Sequence, residues 1–119
     1  MVTLQEFADL FSKLVSTAKA GQTVPYSAAA PVVRLDMENP PDRDEMGHLL
    51  GYISSAEAKN GRPLLSSVVT FKDGTGVGQG FYSLGKELRL VRPGEDEITF
   101  WIRELKMTHD FWRGLPARS

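Results

Sequence analysis

With 119 residues, 41% of them apolar and 24% charged, the chain fits one globular domain and is too hydrophobic to stay disordered. Its formal net charge of −1 supplies no overall attraction for a polyanion, which disfavours nucleic acid as a partner. Cysteine is absent, so disulfides, thiolate nucleophiles and thiolate metal ligands are excluded together.

The opening MVTLQEFADLFSKL lacks the basic start, unbroken apolar core and small-residue cleavage site of a secretory leader, and no apolar run is long enough to span a bilayer. The expected location is cytoplasmic. Thr3 and Glu6 form a capping-box pattern, after which Leu4, Phe7, Phe11, Leu14 and Ala18 recur at helical spacing until Gly21 supplies a stop. Pro25 biases Val24 toward extended geometry, and Ser27 is a candidate cap for a short helix through Ala30, with Pro31 interrupting. Residues 36–44, DMENPPDRD, read as an exposed loop. Asp42 or Asp44 then caps a second helix, with Met46, Leu49, Leu50 and Ile53 as its apolar stripe and Gly61 as its stop.

The run Leu64 to Phe71 is apolar or β-branched everywhere except Ser66 and Ser67, and predicts a buried strand. A loop with Gly74, Gly76, Gly78 and Gly80 leads to the aromatic pair Phe81-Tyr82 and a third helix through Leu84 and Leu88, ended by Pro93-Gly94. Glu95, Asp96 and Glu97 open the last helix, where carboxylates favour the positive end of the helix dipole. That helix carries two apolar faces. Ile98, Trp101, Leu105 and Trp112 are assigned to the core, leaving Phe100, Met107 and Phe111 as an expected association surface. The fold expected is a single α+β domain over residues 1–113, three or four helices packed on a small sheet, with a tail at 114–119.

Candidate chemistry is sparse. Gly80 to Glu87 nearly fits the phosphate-loop pattern GxxxxGK[ST] but ends on a carboxylate that offers magnesium no hydroxyl, and the alternating glycines miss GxGxxG because Gln79 and Phe81 break it. Such a loop reads instead as a turned recognition segment centred on Gly76 and Gly78, with Tyr82 beside it. His48 and His109 lie far apart in the chain; Asp44 can share the face of His48, but no third ligand is implied, so no metal and no cofactor are expected. His109 reads as a polar cap near a helix end. No G-x-S-x-G elbow surrounds any serine. Glu57 and Arg62 flank the helix-to-strand turn as a structural ion pair, or as a binding or catalytic carboxylate and a phosphate-gripping fork.

The block Leu50-Gly51-Tyr52-Ile53-Ser54-Ser55 with Glu57, then Gly61-Arg62-Pro63-Leu64-Leu65-Ser66 and Val68-Val69, then Gly80-Phe81-Tyr82 and Phe100-Trp101 with Glu104 and Trp112, resembles a family of small uncharacterised bacterial proteins. The resemblance spans residues 45–112 and implies no activity. A looser likeness, in the order of segments from Thr23 to the Asp73-Gly74 turn, is to the winged-helix DNA-binding domain of alkylguanine-DNA alkyltransferases and their alkyltransferase-like relatives. Their Pro-Cys-His-Arg or Pro-x-His-Arg segment is replaced here by Pro63-Leu64-Leu65-Ser66, so alkyl transfer is excluded. The function expected is therefore a non-enzymatic bacterial interaction or accessory protein that binds a protein partner or self-associates. A winged-helix-like nucleic-acid binder comes second, and a small enzyme using Glu57 and Arg62 third. The candidate binding residues are Glu57, Arg62, Gly76, Gly78, Tyr82, Phe100, Met107 and Phe111.

Overall fold

The computed structural model describes residues 2–114. In chain order these form α1 (Leu4–Lys19), β1 (Val24–Pro25), α2 (Tyr26–Ala29), a 3-10 turn (Ala30–Val33), α3 (Pro40–Lys59), a second 3-10 turn (Leu65–Val68), β2 (Val69–Thr70), α4 (Gln79–Glu87) and α5 (Glu97–Trp112). Five helices thus surround a two-stranded sheet, one or two more than expected. The radius of gyration is 13.5 Å, which is about what one compact domain of this length has. No helix among the described residues is long and apolar enough to cross a membrane. The tail expected at 114–119 lies, apart from Gly114, outside the described residues.

Local signals set most helix ends. The Thr3 side chain accepts the Glu6 N–H while the Glu6 carboxylate accepts the Thr3 N–H, closing the capping box on α1. Asp96 accepts the Thr99 N–H at 2.8 Å and caps α5. Three starts differ from expectation. Ser27 does not cap the short helix but lies inside α2, whose cap position is Pro25 with no side-chain bond. The acidic loop ends earlier than predicted, because Pro40 and Pro41 occupy the first turn of α3 and Asn39 is its cap. Proline suits that turn, since its fixed φ is helical and its missing N–H would have no partner there. Similarly, Pro31 does not break the alanine segment; it sits at the start of the first 3-10 turn.

The largest revision concerns Leu64 to Phe71. Only Val69 and Thr70 are strand, paired in parallel with Val24 and Pro25, and Leu65–Val68 winds into a 3-10 turn. Residues 64–70 are all buried, and the turn Leu65–Val68 is packed among α1, α3 and α5, where no neighbouring strand pairs with Leu64–Val68. Side chains do so instead. Glu104 accepts the Leu64 N–H at 3.0 Å, Ser54 accepts the Ser66 N–H at 3.0 Å, Thr108 donates to the Leu64 carbonyl at 3.1 Å, and the Trp101 indole donates to the Ser67 carbonyl at 2.8 Å.

These bonds also fix the rotation of α5. Phe100, Trp101, Glu104 and Thr108 face inward, and Phe100 is fully buried. Phe100 therefore belongs to the core, not to the surface expected of it, whereas Ile98, assigned to the core, is 52% exposed. Apolar spacing alone could not place the helix, because half of its buried stripe is polar.

Two apolar clusters result. Leu10, Leu14, Val33, Met46, Ile53 and Val69 belong to the larger one, around α1, α3 and the sheet. Leu64, Phe81, Phe100 and Trp101 form the smaller one, between α4 and α5.

Candidate functional site

Most residues singled out from sequence hold the fold. Glu57 is 2% exposed, and both of its carboxylate oxygens are bound by the Arg62 guanidinium, at 2.7 and 2.9 Å. The Arg62 and Asn60 N–H groups also donate to the Glu57 carbonyl, so the pair fastens the end of α3 to the turn that follows. Tyr82 donates to the Glu95 carbonyl at 3.0 Å and sets its ring edge-on against Phe100. Gly76 is buried, and its carbonyl accepts the Phe71 N–H. His109 lies 2.9 Å from the Gln22 carbonyl, linking α5 to the loop after α1 rather than capping its own helix. His48 and Asp44 are exposed, and no cluster of three or more potential metal ligands occurs among the described residues. Met107 and Phe111, one turn apart on α5, are 42% and 43% exposed, so part of the expected surface is present without Phe100.

An electrostatic centre lies between α4 and α5. Arg103 binds both oxygens of Glu95, at 2.9 and 2.7 Å, donates to the Leu90 carbonyl at 2.8 Å, and stands 3.6 Å from Glu104. The Arg103 guanidinium, helped by the Arg92 N–H, holds the Glu95 carboxyl down at about 2. Burial pushes the Glu104 carboxyl the other way, above its ordinary value, against the Leu64 N–H and Arg103. Both groups are tied to the backbone frame, and neither lines the cleft between α3 and α4.

An apolar opening lies beside α3. It is a cleft of about 460 Å³ between α3, α4 and the residues that follow the two strands. The parallel register Pro25↔Thr70 brings the next residues, Tyr26 and Phe71, side by side as one wall, with ring centroids 5.9 Å apart. Phe81 and Leu84 on α4 form the opposite wall. The floor is α3, where Arg43, Met46, Gly47, Leu50 and Gly51 fall on one helical stripe.

Glycine makes the floor low. A Cβ added at Gly47 or Gly51 would meet nothing within 4 Å, so neither glycine is required by packing. Each still weakens the helix by about 1 kcal/mol relative to alanine. Gly78 serves differently: its N–H donates to the Tyr26 hydroxyl at 3.0 Å, and a Cβ there would lie 3.3 Å from that oxygen. It joins the start of α4 to the first wall. Of the candidate binding residues, Gly78 alone lines the cleft, with Gly80 of the same glycine segment beside it.

Polar groups in the lining are few. Ser66 is engaged with Ser54, their hydroxyl oxygens 2.6 Å apart. Burial pushes the Tyr26 phenol above its ordinary value, which keeps its proton in place, while its oxygen accepts from Gly78. Arg43, exposed at the rim, makes no ion pair among the described residues.

The sequence trace of this site was a pair of glycines one turn apart inside a helical stripe, a spacing that lowers a helix surface without bending the chain. The walls left no trace, since they depend on a strand register only two residues long. Comparison with known proteins adds no constraint: no family model, no curated protein and no solved structure matches this chain.

Proposed function

We propose that this protein is a non-enzymatic binding module whose recognition element is the cleft between α3 and α4. The observation that carries this reading is the combination of depth and lining. Ligand sites are typically concave, predominantly apolar and roughly 300–1,000 Å³ in volume, and this cleft, at about 460 Å³ with Tyr26, Met46, Leu50, Phe71, Phe81 and Leu84 around it, has those properties. Phe71 supports the same reading, since this large apolar residue is 47% exposed and lines the cleft.

The enzyme reading rests on Glu57 and Arg62, which are bound to each other and leave no free carboxylate for proton transfer. The winged-helix reading has less to work with as well, because the glycine segment closes as a turn, with Phe71 donating to Gly76, and no hairpin occurs among the described residues. Association through Met107 and Phe111 is a second, smaller surface for the same class of function.

Decan-1-ol, neutral and largely hydrocarbon, tests the reading. Titrated into isotopically labelled protein below its solubility limit, it is expected to shift amide resonances of α3, α4 and the Tyr26 and Phe71 region. Shifts confined to Met107, Phe111 and their neighbours would move recognition to α5, and sedimentation would then show whether that face joins two copies.

A further inference from the structure

Resting on the reading of the cleft as a binding site, we propose that its ligand is an amphipathic acid, with a hydrocarbon body lying along the floor of α3 and one anionic head held by Arg43. The floor is polarised along its length. Arg43 stands one turn before Gly47, and Gly51 follows one turn later, so the cation sits at one end of a groove floor roughly 12 Å long at the helical rise per residue. The rest of that floor offers Met46, Leu50 and bare glycine backbone whose hydrogen bonds are spent within the helix.

The polar complement of the lining is one-sided. The side chains with hydrogens to spare are donors: the Arg43 guanidinium, the Tyr26 hydroxyl, which accepts from Gly78 and keeps its own proton, and the Ser66 hydroxyl, which accepts from Ser54. No carboxylate lines the cleft. A carboxylate head at the Arg43 end would meet a guanidinium beside an apolar wall, which grips a carboxylate as a planar fork. A cationic head would meet Arg43 with nothing to offset the repulsion. The acidic side chains around Arg43 in sequence, Asp42, Asp44 and Glu45, lie outside the lining and disfavour anions from a distance. Selectivity for an acid must therefore come from Arg43 itself.

The experiment compares decanoate and decyltrimethylammonium, each below its critical micelle concentration, with decan-1-ol below its solubility limit, by calorimetric titration of the full chain. Decanoate is expected to bind about tenfold or more tightly than the alcohol, as one charge-assisted contact allows, and the ammonium compound not at all. Arg43→Leu should bring decanoate down to the level of the alcohol while leaving the alcohol unchanged. Gly47→Leu with Gly51→Leu should abolish binding of both, with the melting temperature held or raised, because the new side chains fill open space. Equal affinity for acid and alcohol, a preference for the ammonium compound, or unaltered decanoate binding in Arg43→Leu would overturn the acid proposal and leave the apolar cleft standing. Binding of none of the three would overturn both.

Discussion

The two sides of α3 are packed on opposite principles. On one side the helix presents Ile53, Ser54 and Glu57, all buried, with Ser54 bonded to Ser66 and Glu57 to Arg62. Toward α4 and Tyr26, it presents Gly47 and Gly51 to open space. The glycines of the molecule divide in the same way. Gly85 on α4 is enforced by sterics, since a Cβ there would lie 2.4 Å from two atoms of the Phe100 ring, whereas Gly47 and Gly51 are opposed by helix propensity and supported by no contact. Gly47 and Gly51 thus carry a local cost that packing does not require, and the shape they leave is the floor of the cleft.

Substitutions on the filled side should be the most damaging. Phe100→Ala empties the centre of the smaller cluster and is expected to cost about 3–5 kcal/mol, measured as a lowered urea midpoint. A cost under about 1 kcal/mol, the range of partly exposed sites, would mean that α5 rotates to expose Phe100 as its sequence pattern first implied. Gly85→Ala comes next, at about 1–3 kcal/mol, because Phe100 and Val91 must both shift to admit one methyl group.

On the open side the sign reverses. Gly47→Ala and Gly51→Ala should each stabilise the protein, by up to about 1 kcal/mol, while shrinking the cleft. Destabilisation by either would show that the cleft closes in solution onto those positions, and the contrast between the two sides of the helix would be lost.

The smallest effects come from the two glutamates around Arg103. Glu95 is held down at about 2, so its contribution is present above the usual carboxylate value and is lost as pH falls from about 4.5 through about 2. Glu104 is raised by burial, so its contribution is present below the ordinary glutamate value and is lost as pH climbs through the raised one. Glu95→Gln should flatten the acid limb of stability against pH, and Glu104→Gln the opposite limb. Urea midpoints across both ranges decide it, and an unchanged profile in Glu104→Gln would mean that water reaches the carboxylate.

How legible these features were in sequence follows from their range. The capping box of Thr3 and Glu6, the carboxylates opening α5 and the Glu57–Arg62 pair were all readable, because each depends on residues within one or two turns. Pro40-Pro41 was misread as loop because proline breaks a helix everywhere except in its first turn, and nothing local says which case applies. The Leu64–Phe71 run was misread as strand because burial favours the same residues whether or not a neighbouring strand exists to pair with. The phase of α5 was misread because Glu104 and Thr108 count as surface residues in any periodicity, yet both are buried as hydrogen-bond partners of a segment far away in the chain. The cleft was invisible, apart from two glycines, because open space leaves no residue to read.

The dependence of the Leu64–Val68 turn on α5 bears on how the chain folds during synthesis. Its backbone and hydroxyl partners Trp101, Glu104 and Thr108 lie 34 to 44 residues downstream in the chain. While those residues are still inside the ribosome, the turn can be neither buried without orphaned amides and carbonyls nor exposed without stripping α1 and α3 of their shared cover. Residues up to the start of α5 should thus emerge as an unfinished core, held open to solvent, and close together only once the last helix is released. A nascent chain arrested before Trp101 should then be cut faster by a protease than the released domain.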